Sequence, residues 1–172
     1  MKKVAFSLLS VCMALCCMAQ DNDLPSRNQF VLKLYVEDTA HVLRTIIKQS
    51  PFIMPDNSLL LYPGEKVFME IEQKDGVIGS VKTVKENLNP DKTLEISFAQ
   101  VIDSGKFKMS MLKITKNPFP FDLNYMVKIY LYAYTKWVRT TVMPIKKGTG
   151  TYETWPDHIS KIDLSYFGFS KQ

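Results

Sequence analysis

An antiparallel β-sandwich of Greek-key, immunoglobulin-like type is the all-β fold the sequence predicts, with a closed or partly open β-barrel as the alternative. Three observations predict it. Short segments alternate apolar and polar side chains, the period of a half-buried strand. Turn signals such as Pro63-Gly64, Asp75-Gly76 and Ser104-Gly105 separate these segments. No stretch sustains the helical period that a βαβ crossover needs. Eight Tyr, ten Phe and nine Pro agree with strands and turns.

The chain divides into a leader (1–19), a flexible lead-in (20–28) and a single domain (29–172). Lys2 and Lys3 form a basic start, Val4 to Leu15 an apolar run, and Ala19 a small residue at the cleavage point, with Cys17 three positions back. This pattern is a secretory signal peptide, too short for a membrane span. It predicts an exported protein, periplasmic or extracellular, beginning at Gln20. All three cysteines, Cys12, Cys16 and Cys17, lie in the leader. The mature chain therefore has no disulfide, no zinc–thiolate site and no catalytic cysteine. A lipid anchor is the rival reading. It needs a small residue before the modified Cys, which neither Leu15-Cys16 nor Cys16-Cys17 provides. Losing Lys2 and Lys3 takes the formal charge from +5 to +3. The remaining basic residues are scattered, which excludes a nucleic-acid footprint.

The elements follow in order. Phe30, Leu32, Leu34 and Val36 alternate as a first strand. Residues 38–50 fit either a short helix capped by Asp38 or a strand, and the β-rich surroundings favour strand or irregular chain. Leu59 to Tyr62 and Lys66 to Gln73 flank a type II turn at Pro63-Gly64. Ile78 to Lys85 is a weaker strand. Leu94, Ile96 and Phe98 mark the next, and Phe107, Met109 and Met111 the apolar side of the one after it. Tyr152 to Trp155 is a short strand stopped by Pro156, and Ile159 to Phe169 closes the domain.

The longest strand pattern is Phe121 to Pro144. A turn at Thr135-Lys136 would pair Ile129 with Val142, Leu131 with Thr140 and Ala133 with Val138. The other side would pair Tyr130 with Thr141, Tyr132 with Arg139 and Tyr134 with Trp137. That side makes Tyr130, Tyr132, Tyr134, Trp137 and Arg139 the candidate contact row, since these residue types dominate binding hot spots and their rings stack on sugars. The alternative is that the second sheet, or residues 38–50, cover it.

Motifs for nucleophilic hydrolysis, zinc proteolysis, nucleotide binding and EF-hand calcium are absent from the sequence. Neither a metal nor a cofactor is predicted. His41 and His158 would need the fold to bring a carboxylate to them. Glu153, Trp155, Asp157 and His158 form a secondary cluster. Read as chemistry, Glu153 and Asp157 are paired carboxylates for glycosidic cleavage beside a Trp155 platform. Read as structure, which is favoured, Trp155 plugs one end of the sandwich and Asp157 or His158 makes turn hydrogen bonds. Six methionines spread over several strands fill core space rather than bind copper. The function predicted is a non-enzymatic binding module of the cell envelope that contacts a protein or glycan through its aromatic row. A small carboxylate hydrolase and a lipid-anchored structural subunit are the alternatives.

Overall fold

The computed structural model describes residues 22–170; the expected leader lies outside them. The described residues form thirteen strands and no helix. Five strands make one antiparallel sheet: β6 (Glu65–Lys74), β7 (Val77–Val84), β8 (Thr93–Asp103), β9 (Lys106–Ile114) and β12 (Thr151–Trp155), in the order β12-β9-β8-β6-β7. Four make another: β5 (Leu59–Leu61), β10 (Leu123–Leu131), β11 (Lys136–Thr140) and β13 (Ile159–Phe169), in the order β11-β10-β13-β5. Two short ribbons remain, β2 (Phe30–Tyr35) with β3 (Val42–Ile47), and β1 (Ser26–Arg27) with β4 (Ser50–Pro51). Neither large sheet closes on itself, so the fold is a sandwich and not a barrel.

Alternation builds the core. Leu59, Leu61, Val127, Ile129, Ile162 and Leu164 from one sheet meet Val67, Met69, Ile71, Leu94, Ile96, Phe98, Leu112 and Ile114 from the other in one buried cluster. Their polar neighbours face outward, as a pleated strand requires.

The turns follow their chemistry. Gly64 has φ +94°, and Glu65 N–H donates to Tyr62 C=O at 3.1 Å, closing the type II turn. It joins strands of opposite sheets, so it is a corner rather than a hairpin. Asp75-Gly76 and Ser104-Gly105 both have positive φ at both positions, the type I′ geometry that matches strand twist.

Three expectations are corrected. The central hairpin turns at Tyr132–Thr135, with Thr135 at φ +48°. Ile129 therefore pairs with Val138, Tyr130 with Trp137 and Lys128 with Arg139. The slip is even, so the apolar side is preserved, but Tyr132 and Tyr134 leave the strand for the loop. Residues 38–50 are the strand and irregular chain favoured for them: they contain β3, and Asp38 accepts from Ala40 N–H and His41 N–H in a turn. On β9 the core side carries Ser110, Leu112 and Ile114 in place of Phe107, Met109 and Met111, which are only half-buried.

The third correction concerns the lead-in. From Asn22 the segment is docked: Leu24 N–H donates to Thr83 C=O at 2.8 Å, and Thr83 Oγ1 bonds Leu24 C=O. Arg27 is buried. Its guanidinium donates to Glu65 Oε1 (2.7 Å), Ser50 Oγ (2.8 Å), Pro51 C=O (2.9 Å) and Leu60 C=O (2.6 Å). It lies 4.4 Å from the Phe52 ring centroid and 5.1 Å from that of Tyr62.

Candidate binding surface

The outer side of the four-stranded sheet gathers the aromatic row. Tyr130 and Trp137 are cross-strand partners, and their rings meet edge-on with centroids 5.3 Å apart. On the far side of Tyr130, β13 places Lys161 directly opposite. Its ammonium stands 4.7 Å from the Tyr130 centroid and 5.3 Å from that of Trp137. Both distances are within cation–π range. One pair along, Lys128 stands between Arg139 and Asp163.

Exposure separates the row into two groups. Tyr130 is half-buried. Tyr132, Tyr134 and Trp137 are 41%, 65% and 42% exposed, and Arg139 is also exposed. The loop carrying Tyr132 is pinned, since Tyr132 N–H donates to His158 C=O at 3.0 Å. Lys136 lies 5.4 Å from the Tyr134 ring.

The β2–β3 arm supplies a side wall. It stays outside both large sheets but is held at its tip: Tyr35 N–H donates to Gln100 Oε1 at 2.8 Å, and Gln100 Nε2 donates to Tyr35 C=O at 2.9 Å. Leu32 and Leu34 are buried beneath it, separate from the sandwich core. Between arm and sheet runs a cleft of about 460 Å³, lined by Leu43, Arg44 and Thr45 on one wall and by Tyr62, Tyr130 and Lys161 on the other. That volume lies within the range of ligand sites. Burial pushes the Tyr62 phenol above its ordinary value. Among the described residues Arg44, Lys136, Arg139 and Lys161 make no ion pair. The cleft and its rim therefore present positive charge beside aromatic surface.

Arg44, Tyr62 and Lys161 escaped the sequence reading. Lys161 was findable in principle from the alternation of β13, but only with the knowledge that β13 and not β5 lies beside β10.

The secondary cluster is dispersed. Trp155 is half-buried, and its Nε1 donates to Thr140 Oγ1 at 3.1 Å, closing the side of the sandwich between β12 and β11. Glu153 shares the core side of β12 with its partner Leu112 and adjoins Tyr125. Burial, and secondly the Glu153 carboxylate, push the Tyr125 phenol well above its ordinary value. Asp157 is exposed, and its backbone carbonyl accepts from Ser110 Oγ at 2.9 Å. His158 stacks on Phe107 with centroids 4.0 Å apart. His41, at the arm's tip, bonds Asp38 at 2.9 Å. Among the described residues no group of three His, Cys, Asp or Glu is placed to hold a metal ion. No helix among them is long and apolar enough to cross a membrane.

Comparison of the chain with protein-family models, with curated proteins and with solved structures finds no match in any of the three.

Proposed function

We propose that this chain is an exported, non-enzymatic binding module of the cell envelope that holds an anionic protein segment or glycan against its aromatic row. One observation carries the reading: solvent-facing Tyr132 lines a cleft whose cations, Arg44 and Lys161, lack carboxylate partners among the described residues, and Lys161 also stands over the exposed Trp137 ring. Aromatic rings supply contact area with few rotors, and unpaired cations attract and orient an acidic ligand. The basic apolar leader pattern supports export.

The test is affinity electrophoresis of the purified domain through a uronate polysaccharide, a sulfated polysaccharide and a polyglutamate matrix. The wild-type protein is retarded by at least one of them, less so as salt rises. Trp137→Ala and Lys161→Ala abolish the retardation while leaving the melting temperature within about 3 °C, because surface truncations cost little. Tyr132→Ala behaves in the same way; a loss of several kcal/mol would instead mean a buried ring. Retardation unchanged in the Trp137/Lys161 double variant overturns the reading. The intact mass of the native protein decides between cleavage before Gln20 and a lipidated cysteine.

A further inference from the structure

On a different part of the molecule, β13 breaks its alternation. The register against β10 jumps between Met126–Ser165 and Asn124–Gly168, leaving a bulge. Tyr166, in that bulge, has φ +54° and is 73% exposed. A bulge residue in the left-handed region is ordinarily glycine, which adopts it without steric penalty. Tyrosine here keeps a strained backbone and an exposed ring, neither of which helps the core.

Beside it is a second cavity of about 220 Å³, walled by Asp56, Asn57, Ser80, Ser165, Tyr166 and Phe167. Ser165 is 4% exposed, and its hydroxyl has no hydrogen-bond partner in the protein. A buried hydroxyl without a protein partner calls for a polar group from outside the chain. The space is several times the roughly 30 Å³ of one water. It is smaller than the roughly 300–1,000 Å³ of sites for drug-sized ligands. It therefore suits a single small ring.

We propose that this cavity is a subsite for one neutral pyranose unit, with the ring against Tyr166 and its hydroxyls against Ser165, Asn57 and Asp56. The chemistry fits each part. A pyranose offers an apolar C–H face to an aromatic ring. Its adjacent hydroxyls donate to a carboxylate, and an amide both donates to them and accepts from them. The Ser165 hydroxyl gains the partner that the protein does not supply. Strain held at an exposed functional residue is the expected signature of such a site. The inference does not depend on the cationic cleft, which involves none of these six residues.

The test is amide-resolved NMR titration of the whole domain with methyl glycosides of glucose, galactose, mannose and N-acetylglucosamine, and with ethylguanidinium as a cationic control. The expected result is saturable shifts with at least one glycoside, confined to residues 56–57, 78–81 and 165–167. Ser165→Ala weakens that glycoside about ten-fold, the loss of one well-made hydrogen bond. Tyr166→Gly weakens it at least as much while leaving the melting temperature equal or higher, because the backbone strain is relieved. No saturable shift with any glycoside overturns the proposal, as does a response to ethylguanidinium alone, which would mark a pocket for a partner's cationic side chain. Full affinity in either variant also overturns it. So does a large drop in melting temperature for Ser165→Ala, which would make the hydroxyl a structural group bonded through water.

Discussion

Replacing Arg27 with alanine removes the contact on which the early part of the chain depends. Four hydrogen bonds leave together, to Glu65, Ser50, Pro51 and Leu60, along with ring contacts to Phe52 and Tyr62. The Glu65 carboxylate stays behind, 12% exposed and deprived of its cation. Breaking a buried ion pair from one side costs about 3–5 kcal/mol, because the abandoned charge is stranded. Whole domains are stable by only about 5–15 kcal/mol. At about 2–4 °C per kcal/mol for a chain of this size, the melting temperature should fall by roughly 6–20 °C. Thermal and urea unfolding followed by circular dichroism measure this directly. Arg27→Lys should fall between the two, since an ammonium keeps the charge but loses the planar fork. The Arg27→Ala/Glu65→Ala pair should cost less than the sum of its single changes, because the second removes the stranded charge. A melting temperature within about 2 °C of wild type for Arg27→Ala, or strict additivity of the pair, would refute the reasoning. Tyr62 lines the cleft, so Arg27→Ala should also weaken retention by anionic matrices more than its stability loss alone explains.

Gly64→Val should cost about 1–2 kcal/mol, read as a lower urea midpoint, since φ +94° disfavours a β-branched side chain although no atom lies within 4 Å of the added Cβ. Gly150→Ala should cost more than Gly64→Ala in the same assay, because its Cβ would run into the carbonyls of Ile114 and Thr115. Asn117→Ala should lose about 3 kcal/mol or more. Its side chain donates to Phe121 C=O and Ile145 C=O and accepts from Phe119 N–H, and the last two of these bonds are buried. The Asp38 hydrogen bond and charge hold the His41 imidazole above its ordinary 6.5, and the same hydrogen bond holds the Asp38 carboxyl below its ordinary 3.8. The His41 contribution is complete below the unfolded histidine value and is lost as pH rises through the raised one. The Asp38 contribution is complete above the unfolded carboxyl value and is lost as pH falls through the depressed one. An NMR titration should place His41 above 6.5, and Asp38→Asn should bring it back down; an unmoved midpoint would contradict the pairing.

Where local chemistry decides, the sequence was readable. Asp75-Gly76 and Ser104-Gly105 announce their turns because Gly, Asp and Ser suit those conformations. The alternation of Leu94, Ile96 and Phe98 names a buried side correctly. The hairpin register was not readable, because its turn rests on a threonine at positive φ that no composition rule favours. On β9, Ser110 misdirected the choice of side: it is buried because Asp157 C=O, far along the chain, accepts its hydrogen bond. Arg27 looked like part of a solvated lead-in because its partners lie 23 to 38 residues away. The candidate surface divides in the same way. Its aromatic members were legible from one hairpin, whereas Lys161 and Arg44 join them only through strand order and the docking of the arm.

The position of β13 has a kinetic consequence. It is hydrogen-bonded to β10 on one side and to β5 on the other, and Leu61 pairs with Ile162 across about a hundred residues. Its partners all precede it, so a chain emerging from the ribosome carries β5 and β10 without the strand that unites them. Loop closure of that length comes before any reward from the contacts it allows, which slows folding. The nascent polypeptide should therefore remain unfolded until β13 has been synthesised, and stay open to chaperones until then. A truncation ending before Ile159 should not fold, however much of the five-stranded sheet it contains.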